Sequence, residues 1–277
     1  MSIGLQILES PSVLGAYTLK DNYTPSSFFS MFNLFTATDP TNATAASQGL
    51  ISSTASSVYI GVDHSNAASS GRSSIRIQSK NLYTHGLFIL DFAHMPGSIC
   101  GTWPSFWTYG SQQTWPFSCS TPVNGEIVTL GVRTQAINSM ALHTADGCTT
   151  SGVNETGTVT TSNCYVNAAG QSSNAGCGVA SASASFYGAA FNAVGGDVFC
   201  VKIWYFPHTA IPSDITSGSP NPNGWELPQA NFAVLHQIVF DLTFCGDWAD
   251  SRICCKQPTA FAEAYWRINS LKVYQSL

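Results

Sequence analysis

Charged side chains are scarce in this chain. Asp, Glu, Lys and Arg make up 9% of its 277 residues, against about a quarter in an ordinary globular protein. The ten basic residues are scattered and outnumbered by fifteen acidic ones, for a net charge of −5. No cationic patch is visible, which excludes nucleic acid and acidic membrane surfaces as expected partners. Long apolar runs are missing too. Gly86-Leu-Phe-Ile-Leu-Asp91 ends in an aspartate, far short of the roughly 20 apolar residues a spanning helix needs. The opening MSIGLQILESPSVLGAY has neither a basic start nor a long apolar stretch, so it does not read as a signal peptide.

Signatures of cofactor chemistry are also absent. Phosphate-binding loops, dinucleotide fingerprints, H-E-x-x-H and G-x-S-x-G do not occur, and no cofactor is expected. Nine cysteines are present, none in a C-x-x-C pair, and Cys254 and Cys255 are adjacent. That spacing points to disulfides rather than to a metal site, and the odd count leaves at least one thiol over.

What is present favours a β protein. Hydrophobic residues reach 44% and aromatics 12%, enough for a sizeable core. Short β-branched or aromatic runs stand at 59–62, 74–78, 87–92, 126–132, 140–143, 198–206, 238–244 and 268–274. Gly, Pro, Ser and Asn clusters separate them. One short helix is expected over 258–266, with Pro258 near its start. The Ser/Thr/Gly-rich stretch 149–184 contains Cys164 and Cys177 and reads as a long stapled surface loop. Many short strands without a βαβ rhythm predict a two-sheet antiparallel sandwich. No break in composition marks a boundary, so residues 17–277 are expected to form one domain behind a 16-residue extension. Asn22, Asn42 and Asn154 head glycosylation sequons. With the cysteines they point to a secreted or secretory-pathway protein.

Several dispersed motifs carry a resemblance. They are Gly86-Leu-Phe-Ile-Leu-Asp-Phe-Ala-His-Met-Pro96, Cys100-Gly-Thr-Trp-Pro-Ser-Phe-Trp107, Asn124-Gly-Glu-Ile127, Met140-Ala-Leu-His-Thr144, Lys202-Ile-Trp-Tyr-Phe-Pro207 and Leu242-Thr-Phe-Cys-Gly-Asp-Trp248. In this order they resemble glycoside hydrolase family 16, in particular the fungal laminarinase-like endo-β-1,3(4)-glucanases. The resemblance implies a concanavalin A-like β-jelly-roll with a sugar-binding cleft across its concave sheet. It also implies that Trp103, Trp107, Trp115, His143 and Trp248 line that cleft, where indole faces suit sugar C–H groups.

The catalytic strand departs from the family pattern. A retaining glycosidase needs two carboxylates roughly 5–5.5 Å apart. The laminarinase-like motif E-x-D-x-x-E supplies them with a β-bulge before the second glutamate. Here the run is Glu126-Ile-Val-Thr-Leu-Gly131. In regular register Glu126, Val128 and Leu130 share the cleft face. Val128 then takes the place of the assisting aspartate and Leu130 that of the acid/base. In bulged register the second place falls to Gly131. Either way only Glu126 remains as a catalytic candidate. Other departures surround it. Asp39-Pro-Thr41 lacks the aromatic that usually follows, Phe117–Pro122 looks inserted, and Asp197–Val201 looks like a shortened hairpin. Cys119 and Cys200 lie in those altered segments and are the expected free thiols.

Three functions stay open at this point. The chain is a monomeric, non-hydrolytic glucan-binding protein. Or it is an enzyme of new chemistry built around Glu126, such as a cyclase or pericyclase acting on a small molecule. Or it is an active glucanase whose acid is displaced, to Asp146 or Glu155.

Overall fold

The structure is a computed structural model. It describes residues 17–35, 49–68, 72–83, 86–97, 99, 101–110, 126–131, 138–150, 157–181, 183, 185, 187–195, 197–200, 204–207, 211–221, 236–244 and 257–276, with the backbone alone at 109, 126–131, 197–200, 204–207 and 276. Fifteen strands are formed among them. In chain order these are β1 (Tyr17–Tyr23), β2 (Phe32–Leu34), β3 (Ile51–Ser53), β4 (Val58–Gly61), β5 (Arg76–Ser79), β6 (Leu87–His94), β7 (Thr102–Gly110), β8 (Glu126–Gly131), β9 (Ser139–His143), β10 (Thr158–Thr161), β11 (Cys177–Ala180), β12 (Asp197–Cys200), β13 (Trp204–Pro207), β14 (His236–Phe244) and β15 (Tyr265–Ser276). Two short helices, α1 (Gly188–Ala193) and α2 (Ser213–Thr216), complete the set with two 3-10 turns.

The strands form two antiparallel sheets. One has seven strands, ordered β13-β12-β6-β15-β4-β3 with β1 added beside β15. The other has eight, ordered β10-β11-β9-β8-β7-β14-β5-β2. The core lies between them and follows the period-2 alternation of the strands, with a shift of register on β15 between Ile268 and Ser270. On β14, Ile238, Phe240, Leu242 and Phe244 enter it. On β15, Trp266, Ile268, Leu271 and Val273 do so from the opposite sheet. Phe240 stands 4.7 Å from the ring of Phe106 and 6.2 Å from that of Trp266, so the sheets interlock through aromatic contacts. This is the all-β sandwich read from the strand spacing, and it fixes which face of the eight-stranded ladder is turned away from the core.

Some expectations need correction. The helix over 258–266 is a single 3-10 turn, Pro258–Phe261, and Tyr265 already opens β15. Trp266 is fully buried on that strand, so the apolar gain of a core position outweighs the weak helical propensity of a short Ala-containing stretch. The stretch 149–184 is not loop throughout, because β10 and β11 pair within it and β11 joins the sheet through β9. Cys164 and Cys177 are disulfide-bonded there. The segment read as a shortened hairpin still forms one, with Asp197–Cys200 paired to Trp204–Pro207.

Candidate functional site

The far face of the eight-stranded sheet carries the site. On β14, Val239, Asp241 and Thr243 alternate with the core residues and occupy this face. Asp241 is in register with Ser105 on β7 and Arg76 on β5. Arg76 and Asp241 are both buried, at 5% and 3% exposure. Trp107, also on this face, donates its indole N–H to the Asp241 carboxylate over 3.1 Å. The Arg76 guanidinium lies 4.8 Å from the centre of the Trp107 ring and 5.4 Å from that of Phe35. A carboxylate, a guanidinium and an indole thus meet at the middle of the ladder. Their mutual contacts are what allow two charged groups to be buried there. Asp241 is a residue of this face that the sequence motifs did not single out. Its signal was present: one carboxylate flanked by Phe240 and Leu242 in a strand-like run.

β8 runs beside β7. Glu126 is in register with Tyr109 and His143, and Val128 with Trp107 and Ala141. Beyond Val128 the ladder shifts on both sides. Phe106 and Trp107 are adjacent, yet their partners Leu130 and Val128 are two apart. Ala141 and Ser139 are two apart, yet their partners Val128 and Gly131 are three apart. One extra residue is therefore accommodated in β8, which is a β-bulge. Leu130 falls in the row of Phe106, a core residue, and Gly131 falls in the row of Glu126 and Val128. This corrects the unbulged register, in which Leu130 was expected in the cleft. A one-residue slip exchanges the two faces of a strand, and here it sends a leucine position toward the core row and a glycine position toward the cleft row.

The remaining expected cleft residues divide. His143 is 5% exposed and sits on the same row as Glu126, with its Nε2 3.3 Å from the Ala175 carbonyl oxygen. Gly176, at φ +60°, is needed beside it, because a Cβ there would collide with the His143 ring and the Leu142 carbonyl. Trp103 is half-buried on β7, and its carbonyl accepts a hydrogen bond from Thr243 Oγ1 at 3.2 Å. Trp115, Trp248, Asn42, Asn154, Cys119 and Glu155 lie outside the described residues. Cys200 is described by its backbone alone. Asp146 is exposed in the turn after β9, off the catalytic strand. Asn22 is exposed on β1 opposite Lys272. Among the described residues no cluster of His, Cys, Asp and Glu could hold a metal ion, and no helix is long and apolar enough to cross a membrane.

A two-sheet antiparallel sandwich with aromatic, polar and acidic groups on the outer face of one sheet is the jelly-roll arrangement that the resemblance to glycoside hydrolases implies. The catalytic-domain profile of XgeA-like family 16 enzymes matches residues 32–274. The chain belongs to glycoside hydrolase family 16. It is 41% identical over 319 aligned positions to an endo-1,3(4)-beta-glucanase of Arthroderma benhamiae, spanning 98% of this chain and 68% of that protein. Among solved structures it is similar to an elongating family 16 beta-1,3-glucosyltransferase at 38% identity and a TM-score of 0.80, over 94% of this chain and all of that one. It is also similar to laminarinase 16A of Phanerochaete chrysosporium with beta-glucans in its donor and acceptor sites, at 34% identity and a TM-score of 0.82, over the same shares.

Proposed function

We propose that this protein binds β-1,3-glucan chains along the concave face of its eight-stranded sheet and does not hydrolyse them. The observation that carries this reading is the register of β8. Three positions of that strand share the cleft row, Glu126, Val128 and Gly131. A retaining mechanism needs a nucleophile and an acid/base on opposite sides of the scissile bond, and only the first of the three positions is a carboxylic acid. Positioned acid catalysis is worth about 10²–10⁴-fold, so the loss of the partner removes most of the rate. The binding half of the reading draws on Trp107, Trp103 and His143 in the same face, and on the beta-glucans held by the P. chrysosporium laminarinase. A disulfide between Cys164 and Cys177 suits an oxidising, extracellular setting.

The names of the relatives favour the rival reading, an active endo-glucanase. Purified protein incubated with laminarin decides between them. Reducing-sugar release should not exceed that of Glu126→Gln, while laminarihexaose should quench indole fluorescence with saturation. Cleavage by the wild-type chain that disappears in Glu126→Gln would overturn the proposal.

A further inference from the structure

The outer face of the seven-stranded sheet carries a second set of groups suited to a sugar chain. On β4, Tyr59 alternates with the core residues Val58 and Ile60. On β15, Tyr265 and Arg267 alternate with Trp266 and Ile268. Tyr59, Tyr265 and Arg267 therefore share a face on the opposite side of the molecule from the concave ladder. The Tyr265 ring stacks on His94 with centroids 3.8 Å apart and stands 5.1 Å from the Tyr59 ring. Three rings thus form a row across β6, β15 and β4. The Tyr59 phenol occupies the space over Gly61, where a Cβ would collide with it, so the glycine is what admits the ring.

An open trough of about 570 Å³ begins at this row, within the usual range of about 300–1,000 Å³ for ligand pockets. It is lined by Tyr59, Arg267, Asn269 and the hydroxyls of Ser52, Thr54, Ser56 and Ser57, with no carboxylate among these described residues. Its polar groups are held in place. The Thr54 N–H donates to the Ser57 carbonyl at 2.8 Å and the Ser57 N–H donates to Thr54 Oγ1 at 3.1 Å. The Asn269 amide donates to Asp91 at 2.8 Å. Arg267 is exposed, lies 5.6 Å from the centre of the Tyr265 ring, and pairs with no carboxylate among the described residues.

We infer that this trough is a second carbohydrate site, one that takes a neutral glucan chain. The Tyr59 ring, backed by Tyr265, supplies apolar surface to sugar C–H groups. The guanidinium, amide and hydroxyls supply donors and acceptors for sugar hydroxyls. A single cation with no further basic residue around it is a poor match to a polyanion. Two sites on opposite faces let one protein engage two separate glucan chains of a particle's mesh, which raises retention where both are occupied at once. The choice of β-1,3-glucan as the ligand rests on the functional reading above.

The test measures retention on insoluble β-1,3-glucan particles and, separately, laminarihexaose binding by the part of the indole fluorescence change that Trp103→Ala removes, because Trp266 and Trp204 stand on strands of the other sheet. The Tyr59→Ala/Arg267→Ala double variant should lose about tenfold in particle retention, the scale of one aromatic contact and its flanking donor, with the fluorescence titration unchanged. Tyr59→Phe should retain particles nearly as well as wild type, since the ring remains. Trp103→Ala should weaken the fluorescence-detected binding and keep the outer-face contribution. Particle retention in the double variant equal to wild type overturns the inference. So does tighter binding of polygalacturonate than of glucan by the Trp103→Ala variant. If Trp103→Ala leaves the fluorescence titration intact while the double variant releases particles, the concave reading fails and the outer site stands.

Discussion

Trp107 on β7 reaches across to β14 and donates its indole N–H to Asp241 over 3.1 Å. The two residues tie together the central strands of the concave face, with Arg76 packed on the indole ring. Removing the carboxylate leaves the buried Trp107 N–H short of its acceptor. Asp241→Ala is expected to cost about 2–4 kcal/mol in a urea titration. Asp241→Asn keeps an acceptor and should cost less. A cost for the alanine variant below about 0.5 kcal/mol, the range of ordinary surface changes, would show that the carboxylate does not hold this patch together.

The bulge in β8 makes a prediction about where an acid must be placed. Val128→Asp/Gly131→Glu restores carboxylic acids to the cleft row beside Glu126. Laminarin hydrolysis should rise by at least about 10²-fold over the unmodified chain, the lower bound for a positioned acid. Val128→Asp/Leu130→Glu should give no such gain and should lower the melting temperature, because position 130 is in register with the core residue Phe106. Activity from the second pair rather than the first would restore the unbulged register.

Burial of His236 sets a pH dependence. Its Nδ1 lies 3.1 Å from Thr108 Oγ1, and burial pushes its pKa down from the ordinary 6.5 to about 4. The unfolded chain binds the proton more tightly than the folded one. The stabilising contribution is therefore complete above pH about 6.5 and is lost as pH falls toward 4, to an extent of about 3 kcal/mol. Subtracting the stability profile of His236→Gln from that of the wild type isolates this group from the carboxylates. A flat difference between pH 7 and 4 would contradict the burial argument.

The Cys164–Cys177 disulfide, with a sequence separation of 13, closes a loop whose constraint on the unfolded chain is worth about 3 kcal/mol. The Cys164→Ala/Cys177→Ala variant should lose roughly that much stability. Hydrogen exchange should accelerate first in β10 and β11 at the end of the sheet, and last in β14 and β7. Equal acceleration across the whole sheet would mean that the edge strands do not unfold separately.

Much of this protein was legible in its residues. The spacing of apolar runs located β4, β5, β6, β8, β9, β14 and β15, since period-2 alternation is a local property of the chain, but not β7 in the middle of the eight-stranded sheet. The dispersed motifs gave the family. Trp103, Trp107 and His143 were nominated through the resemblance, and only His143 lies in one of the strand-like runs. What sequence could not reach depended on neighbours distant in the chain. Trp266 looked like the end of a helix and became a core strand residue, because the opposite sheet offered it full burial. Asp241 acquired its place only when β7 and β5 brought Trp107 and Arg76 beside it, 134 residues away in the case of Trp107. The register of β8 was the decisive case. Residues 126–131 are compatible with a regular strand or a bulged one, and the two differ by a single residue that exchanges the cleft and core faces. Pairing with β7 on one side and β9 on the other sets the register, since hydrogen bonds to both neighbours must be satisfied at once and no local preference of six residues can decide that.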